Sequence, residues 1–179
     1  DRLRPLRPPH PPGLARVVDG RDLFQQTARL LGRQPDTLQF APEAGLLRAS
    51  SPYRTEPVGG PAGQPDFINA VVLLRSVPQL PDPQSLLRWL LQLEHEYGRQ
   101  RTERWSARTL DLDLLAWGER QLAVPGLSLP HPRLHERPFV LAPLAELWPD
   151  WRHPGLGATA PELLAQLDQS GVTRLPARW

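Results

Sequence analysis

Between Thr109 and Leu114 the chain alternates polar and apolar residues without a break. A β-strand repeats its side-chain direction every two residues. Thr109, Asp111 and Asp113 therefore share one face of a strand, and Leu110, Leu112 and Leu114 share the other. The apolar face must be buried, so the segment belongs to a sheet with a core on at least one side. Two like charges next to each other on a strand face are destabilising by themselves. A hard divalent cation such as Mg²⁺ removes that repulsion and prefers carboxylate oxygens. Arg99, Arg101, Arg104 and Arg108 lie just upstream. A carboxylate pair beside an arginine cluster suits a metal-bound polyphosphate. The plain alternative is a pair of solvated acids on an edge strand.

The chain has 179 residues, enough for one domain with a real core. A hydrophobic fraction of 40% and a charged fraction of 22% are ordinary for a soluble globule. No apolar run reaches the roughly 20 residues of a membrane helix, and no signal-peptide pattern is visible. There is no Cys, which excludes disulfides and thiolate metal sites and fits a cytoplasmic location. All 21 basic residues are Arg, and the net charge is only +2, a balance that does not call for nucleic acid. A monomer without a membrane or nucleic-acid partner is expected. The chain lacks Met and begins at Asp1, which reads as a missing, processed or mis-defined start.

Residues 1–12 hold five prolines and three arginines and read as an extended, poorly ordered tail, followed by a single domain over 13–179. Asp22 to Leu31 reads as a helix capped by Gly32. Leu46 to Val58 reads as a strand running into a Pro- and Gly-rich segment. Phe67 to Leu74 reads as a buried strand with Phe67, Asn69, Val71 and Leu73 on one face. Asp82-Pro83 opens a helix, with Asp as cap and Pro at the first position. Its stripe is Leu86, Leu90, Leu93 and Tyr97, and Gly98 ends it. After the basic loop 99–108 and the strand 109–116, Gly118 to Gln121 turns toward another short strand. Helices are expected at roughly 138–147 and 160–169. The connections are too short for parallel crossovers, which gives an α+β sandwich: a mostly antiparallel sheet with helices on its faces.

Three ordered blocks carry a resemblance. The first is Ser51-Pro-Tyr-Arg-Thr-Glu-Pro-Val-Gly with Gln64-Pro-Asp-Phe-Ile-Asn-Ala-Val. The second runs from Gly98 through Leu115 and contains the Asp pair. The third is Leu129-Pro-His-Pro-Arg-Leu-His-Glu-Arg-Pro-Phe-Val-Leu-Ala-Pro-Leu-Ala-Glu. From about residue 46 onward, the chain resembles the 6-hydroxymethyl-7,8-dihydropterin pyrophosphokinases of folate synthesis. The resemblance implies a ferredoxin-like αβα sandwich. It also implies transfer of the β,γ-pyrophosphoryl group of ATP to the pterin hydroxymethyl oxygen, with two Mg²⁺ ions and release of AMP.

Residue by residue, the resemblance implies Asp111 and Asp113 as metal ligands. It places Arg99, Arg101 and Arg108 on the ATP phosphates, with Trp105 in a loop that closes over substrate. Glu94, His131 and Arg137 complete the nucleotide site. Phe67 and Phe139 stack on the two faces of the pterin, and Asn69 reads its edge. Thr55 and Val58 belong to the loop whose backbone reads the pterin. A flat heterocycle with a polar edge needs such a sandwich and an amide that both donates and accepts. His131 and His135 are four apart, a helical metal spacing. The prolines flanking His131 argue against a helix, and so against a zinc site.

Relatives begin with a central strand ending in Gly-Ser-Asn, and no Gly-Ser-Asn occurs here. Gly13 to Val18 offers only Val17 and Val18 as β-branched residues, so the first strand is expected to be atypical or missing. The stretch after Trp151 reads as a natural finish. Two other readings follow: a non-catalytic pterin- or nucleotide-binding remnant, and a basic RNA-binding domain. The second would need exposed aromatics among basic residues on its sheet, whereas Phe67 lies in an apolar run.

Overall fold

A computed structural model describes residues 13–19, 33–34, 37–38, 46–56, 66–74, 82–96 and 110–176. The expectations for residues 1–12, for a helix over Asp22 to Leu31 and for the basic loop 99–108 lie outside them.

The main sheet contains β1 (Gly13–Asp19), β4 (Leu46–Ala49), β5 (Tyr53–Thr55), β6 (Phe67–Leu74), β7 (Leu110–Ala116) and β10 (Val172–Arg174). Its path is β10-β5-β6-β1-β7, with β4 also on β6, and every pairing is antiparallel. Two small ribbons stand apart: β2 (Arg33–Gln34) with β3 (Thr37–Leu38), and β8 (Leu122–Val124) with β9 (Leu127–Leu129). Gly126, at φ +81, makes the turn between β8 and β9, a conformation that glycine adopts without steric cost.

The first strand is present. Gly13–Asp19 lies between β6 and β7 and pairs with both, Val17 opposite Ala70 on one side and Leu112 on the other. Its weak intrinsic preference is outweighed by ladders on two edges, because strand propensity is mostly context.

β6 is central to the core. Ala70 to Leu74 are all buried, as expected of a strand covered on both faces. On one face Val72, Leu74, Leu112 and Leu114 pack against Leu86 and Leu90 of helix α1 (Pro83–Glu96). On the other, Val71, Leu73, Leu115 and Ala116 pack against Val140, Leu141 and Leu144 of helix α2 (Pro138–Leu147). Helix α3 (Ala160–Leu164) joins the second cluster through Ala160 and Leu163. Leu115 and Ala116 reach the same cluster because the register between β1 and β7 slips at this point, a bulge that turns consecutive residues to one side.

The caps follow the sequence. Asp82 Oδ1 accepts from the Ser85 amide at 2.8 Å, and Asp82 Oδ2 accepts from the Ser85 hydroxyl at 3.0 Å. Thr159 and Glu162 form a reciprocal capping box at the start of α3.

Two expectations need correction. The described part of the expected Leu46 to Val58 segment, residues 46–56, is not one strand. Ser50 breaks it, its amide donating to the Val71 carbonyl at 2.9 Å and its hydroxyl accepting from the Val71 amide at 3.0 Å. A side chain thus replaces a ladder group just before Pro52, which has no amide proton to give. The last helix stops at Leu164 rather than near 169, because Gln166 and Leu167 donate to Leu163 and Leu164 in tighter turns.

Candidate active site

The alternation in β7 sends Leu112 and Leu114 into the core and leaves Asp111 and Asp113 half-buried on the opposite face. β7 ends the sheet, so its outer edge needs other partners. The Leu112 amide, between the two aspartates, donates to Oε1 of Glu94 at 2.7 Å. Glu94 is only 2% exposed, so α1 holds a buried carboxylate against the backbone of the Asp-bearing strand. Farther along, the His131 amide donates to the Leu115 carbonyl at 2.7 Å, and His131 Nδ1 accepts from the Arg133 amide at 3.2 Å. Glu94 and His131 line a cleft of about 460 Å³ together with Leu87, Leu91, Asp111 and Asp113 among others. Leu91 was not singled out by sequence reasoning. It falls outside the Leu86–Leu90–Leu93 stripe and is 43% exposed, and a leucine off the core stripe of an amphipathic helix is the signal that marks it.

Arg137 connects the aspartates to the aromatic side of the site. Its Nη1 lies 3.9 Å from Asp113 Oδ2, and its guanidinium carbon stands 5.7 Å from the centre of the Phe139 ring, within cation–π range. Burial pulls the Arg137 guanidinium below its ordinary value while the Asp113 charge pulls it back, and a guanidinium stays charged in either case. Pro138 at the first position of α2 fixes where Phe139 enters the helix.

The remaining residues sit across the sheet. Asn69 is 1% exposed, and its Nδ2 donates to Thr55 Oγ1 at 2.7 Å; Thr55 is 4% exposed. Phe67 is half-buried at the start of β6. Val18 of β1 is in register with Asn69 on one side and Asp111 on the other. Directly opposed residues of antiparallel strands point the same way. Asn69 and the Asp pair therefore share the α2 face of the sheet, two strand spacings or about 10 Å apart.

Nine of the expected residues are described: Thr55, Phe67, Asn69, Glu94, Asp111, Asp113, His131, Arg137 and Phe139. Val58, Arg99, Arg101, Trp105 and Arg108 lie outside the described residues. No set of three or more His, Cys, Asp or Glu converges among the described residues. A site of two carboxylates with an open cleft still fits Mg²⁺, which is usually bound by one or two carboxylates with substrate phosphates and water filling the rest.

Comparison with known proteins shows which family this chain resembles. A protein-family profile described as 7,8-dihydro-6-hydroxymethylpterin-pyrophosphokinase matches residues 21–149. A 2-amino-4-hydroxy-6-hydroxymethyldihydropteridine pyrophosphokinase from Synechocystis sp. is 48% identical over 125 residues, covering 70% of this chain and 62% of that protein. The chain thus spans less than two thirds of that relative. One of the same description from Pseudomonas aeruginosa is 45% identical over 141 residues, covering 79% of this chain and 84% of that protein. The wild-type HPPK-DHPS structure of Plasmodium falciparum with SDX-DHP superposes with a TM-score of 0.64 at 14% identity, over 90% of this chain and 46% of that one. That likeness concerns the fold alone. With the profile covering well over half of its length, the chain belongs to the 7,8-dihydro-6-hydroxymethylpterin-pyrophosphokinase family.

Proposed function

We propose that this chain carries out its family's reaction, the transfer of pyrophosphate from ATP to 6-hydroxymethyl-7,8-dihydropterin in folate biosynthesis. The hydroxymethyl oxygen attacks the β-phosphorus. An O–P bond forms there as the bond to the α,β-bridging oxygen breaks. AMP departs, and the hydroxyl proton is lost. The observation that carries this reading is the shared sheet face, with Asp111, Asp113 and Arg137 at one end and Asn69 with Thr55 at the other.

Asp111 and Asp113 are the residues that would hold Mg²⁺, two ions by family resemblance. When bound, the metal neutralises phosphate charge and helps align the polyphosphate. Arg137 supplies a fixed positive charge beside that site. Glu94 keeps the strand edge between the aspartates in place, and His131 borders the nucleotide cleft. Arg99, Arg101 and Arg108 clamp the phosphates, with Trp105 on the same loop. Phe67 and Phe139 take the two faces of the pterin, Asn69 its polar edge, and the backbone of Thr55 and Val58 the rest of that edge.

A ferredoxin-like αβα sandwich in one domain over 13–179, acting as a cytoplasmic monomer, completes the reading. Helices on both faces of an antiparallel sheet support the sandwich. Among the described residues no helix is long and apolar enough to cross a membrane.

Chromatography of the nucleotides after incubation with Mg²⁺, ATP and the hydroxymethyl pterin tests the reaction. AMP should accumulate in step with pterin diphosphate. ADP as the sole nucleotide product would mean transfer of one phosphoryl group and would refute the assignment.

A further inference from the structure

Asn69 carries its amide on a single methylene, and the last torsion of such a side chain has broad wells, so the plane of the amide is set by its partners. An amide offers two donors on one side and an acceptor on the other, so its value for recognition depends on its plane being fixed. In this structure one partner that fixes it is a side chain. Thr55 Oγ1 accepts from Asn69 Nδ2 at 2.7 Å, with both residues almost wholly buried. The planar amide then directs its oxygen away from β5.

Thr55 is itself held from several directions. β5 pairs with β6 on one edge, Thr55 opposite Phe67, and with β10 on the other, Thr55 opposite Val172. Two residues earlier, the Tyr53 hydroxyl donates to Glu146 Oε2 at 2.8 Å. One residue later, the Glu56 amide donates to the Gly171 carbonyl at 3.2 Å. A partner so restrained imposes its geometry on Asn69 rather than following it.

We infer that the Thr55 hydroxyl is a positioning group for pterin recognition, acting through the Asn69 amide. This rests on the reading that the pterin edge meets Asn69, and it extends that reading from the Thr55 backbone to its side chain. A threonine methyl and backbone could be supplied by valine; only the hydroxyl distinguishes the two at nearly equal volume.

Thr55→Val, Thr55→Ser, Asn69→Ala and the Thr55→Val/Asn69→Ala pair should be titrated calorimetrically, first with a non-hydrolysable ATP analogue and then with the hydroxymethyl pterin. Thr55→Val should weaken pterin binding about tenfold, the scale of one buried hydrogen-bond partner lost. It should leave the analogue within roughly twofold, and Thr55→Ser should restore pterin affinity. In the Asn69→Ala background Thr55→Val should add almost nothing, because residues acting as a unit are not additive. Should Thr55→Val fail to fold, Thr55→Ala carries the same expectation. Unchanged pterin affinity in Thr55→Val, with a loss in Asn69→Ala, would overturn the inference alone. Equal losses for both ligands, or full additivity in the pair, would make Thr55 a plain structural residue and overturn it too. An Asn69→Ala protein with native pterin affinity would instead remove the underlying site reading.

Discussion

Asp111 and Asp113 are the residues whose placement is hardest to explain by stability alone. Each is half-buried, on a strand face that also carries Leu115 into a packed cluster. Asp111→Asn and Asp113→Asn should each lower turnover by about two orders of magnitude or more, the usual scale for loss of one group that stabilises charge in the transition state. Circular dichroism should remain native, because neither side chain is in the core. Near-native turnover of either variant at saturating Mg²⁺ would contradict the metal assignment. Glu146 shows the opposite case, a carboxylate placed for structure. Its Oε1 accepts from the Ser51 amide at 2.9 Å and the Ser51 hydroxyl at 2.8 Å, its Oε2 from Tyr53, and Arg174 Nε lies 3.2 Å away. Burial acts to raise the Glu146 carboxyl, but those hydrogen bonds and the Arg174 charge hold it below its ordinary value. Burial and the same carboxylate push the Tyr53 hydroxyl up, so it remains a donor. A carboxyl lowered in the folded state contributes its stability above its unfolded value of about 4.3 and loses it as pH falls through the folded value. Glu146→Gln should therefore cost about 1 to 3 kcal/mol at pH 7. That gap to the native protein should narrow below about pH 4, as read from urea midpoints. A gap independent of pH would show that the charge of Glu146 contributes nothing.

Among the elements, β1 has the most leverage. It separates the strand that carries Asn69 from the strand that carries Asp111 and Asp113, and the register of both passes through it. Val17→Pro would remove one ladder donor in the middle of the sheet and force a ring against a neighbouring strand. It should destabilise by about 3 kcal/mol or more, measured by denaturant unfolding; a loss under about 1 kcal/mol, the range of ordinary surface changes, would mean that β1 is dispensable. β1 is also where the sequence was least legible. Seven residues with two β-branched side chains and a glycine start do not announce a central strand. The ladders that stabilise it come from residues 68–74 and 110–116, far along the chain, and no local pattern encodes them. By contrast β6, β7 and α1 could be read from the sequence because each carries its own pattern: an apolar run, a period of two, and an Asp-Pro cap before an apolar stripe. The break at Ser50 was hidden for a different reason. Serine substituting for a ladder group needs Val71 opposite it, and that pairing is a property of the fold.

For the whole molecule, the sheet brings distant chemistry onto one face. Residues of β5, β6, β7 and the start of α2 meet there, drawn from sequence blocks that are separately unremarkable. Those blocks put the residue types of the candidate site, carboxylates, an amide and aromatics, in plain view in the sequence. Their mutual arrangement was not legible, since the Asn69–Thr55 and Glu94–Leu112 bonds join different elements. The arrangement divides the site into a carboxylate end and an amide end about two strand spacings apart. Asn69→Ala and Asp113→Asn should therefore fail in opposite ways. Calorimetric titration of each variant, with an Mg²⁺-loaded non-hydrolysable ATP analogue and then with the hydroxymethyl pterin, measures this directly. We expect Asn69→Ala to lose pterin affinity and keep the nucleotide, and Asp113→Asn to lose the metal-bound nucleotide first. Equal losses of both ligands in both variants would contradict the division of the face into two binding ends.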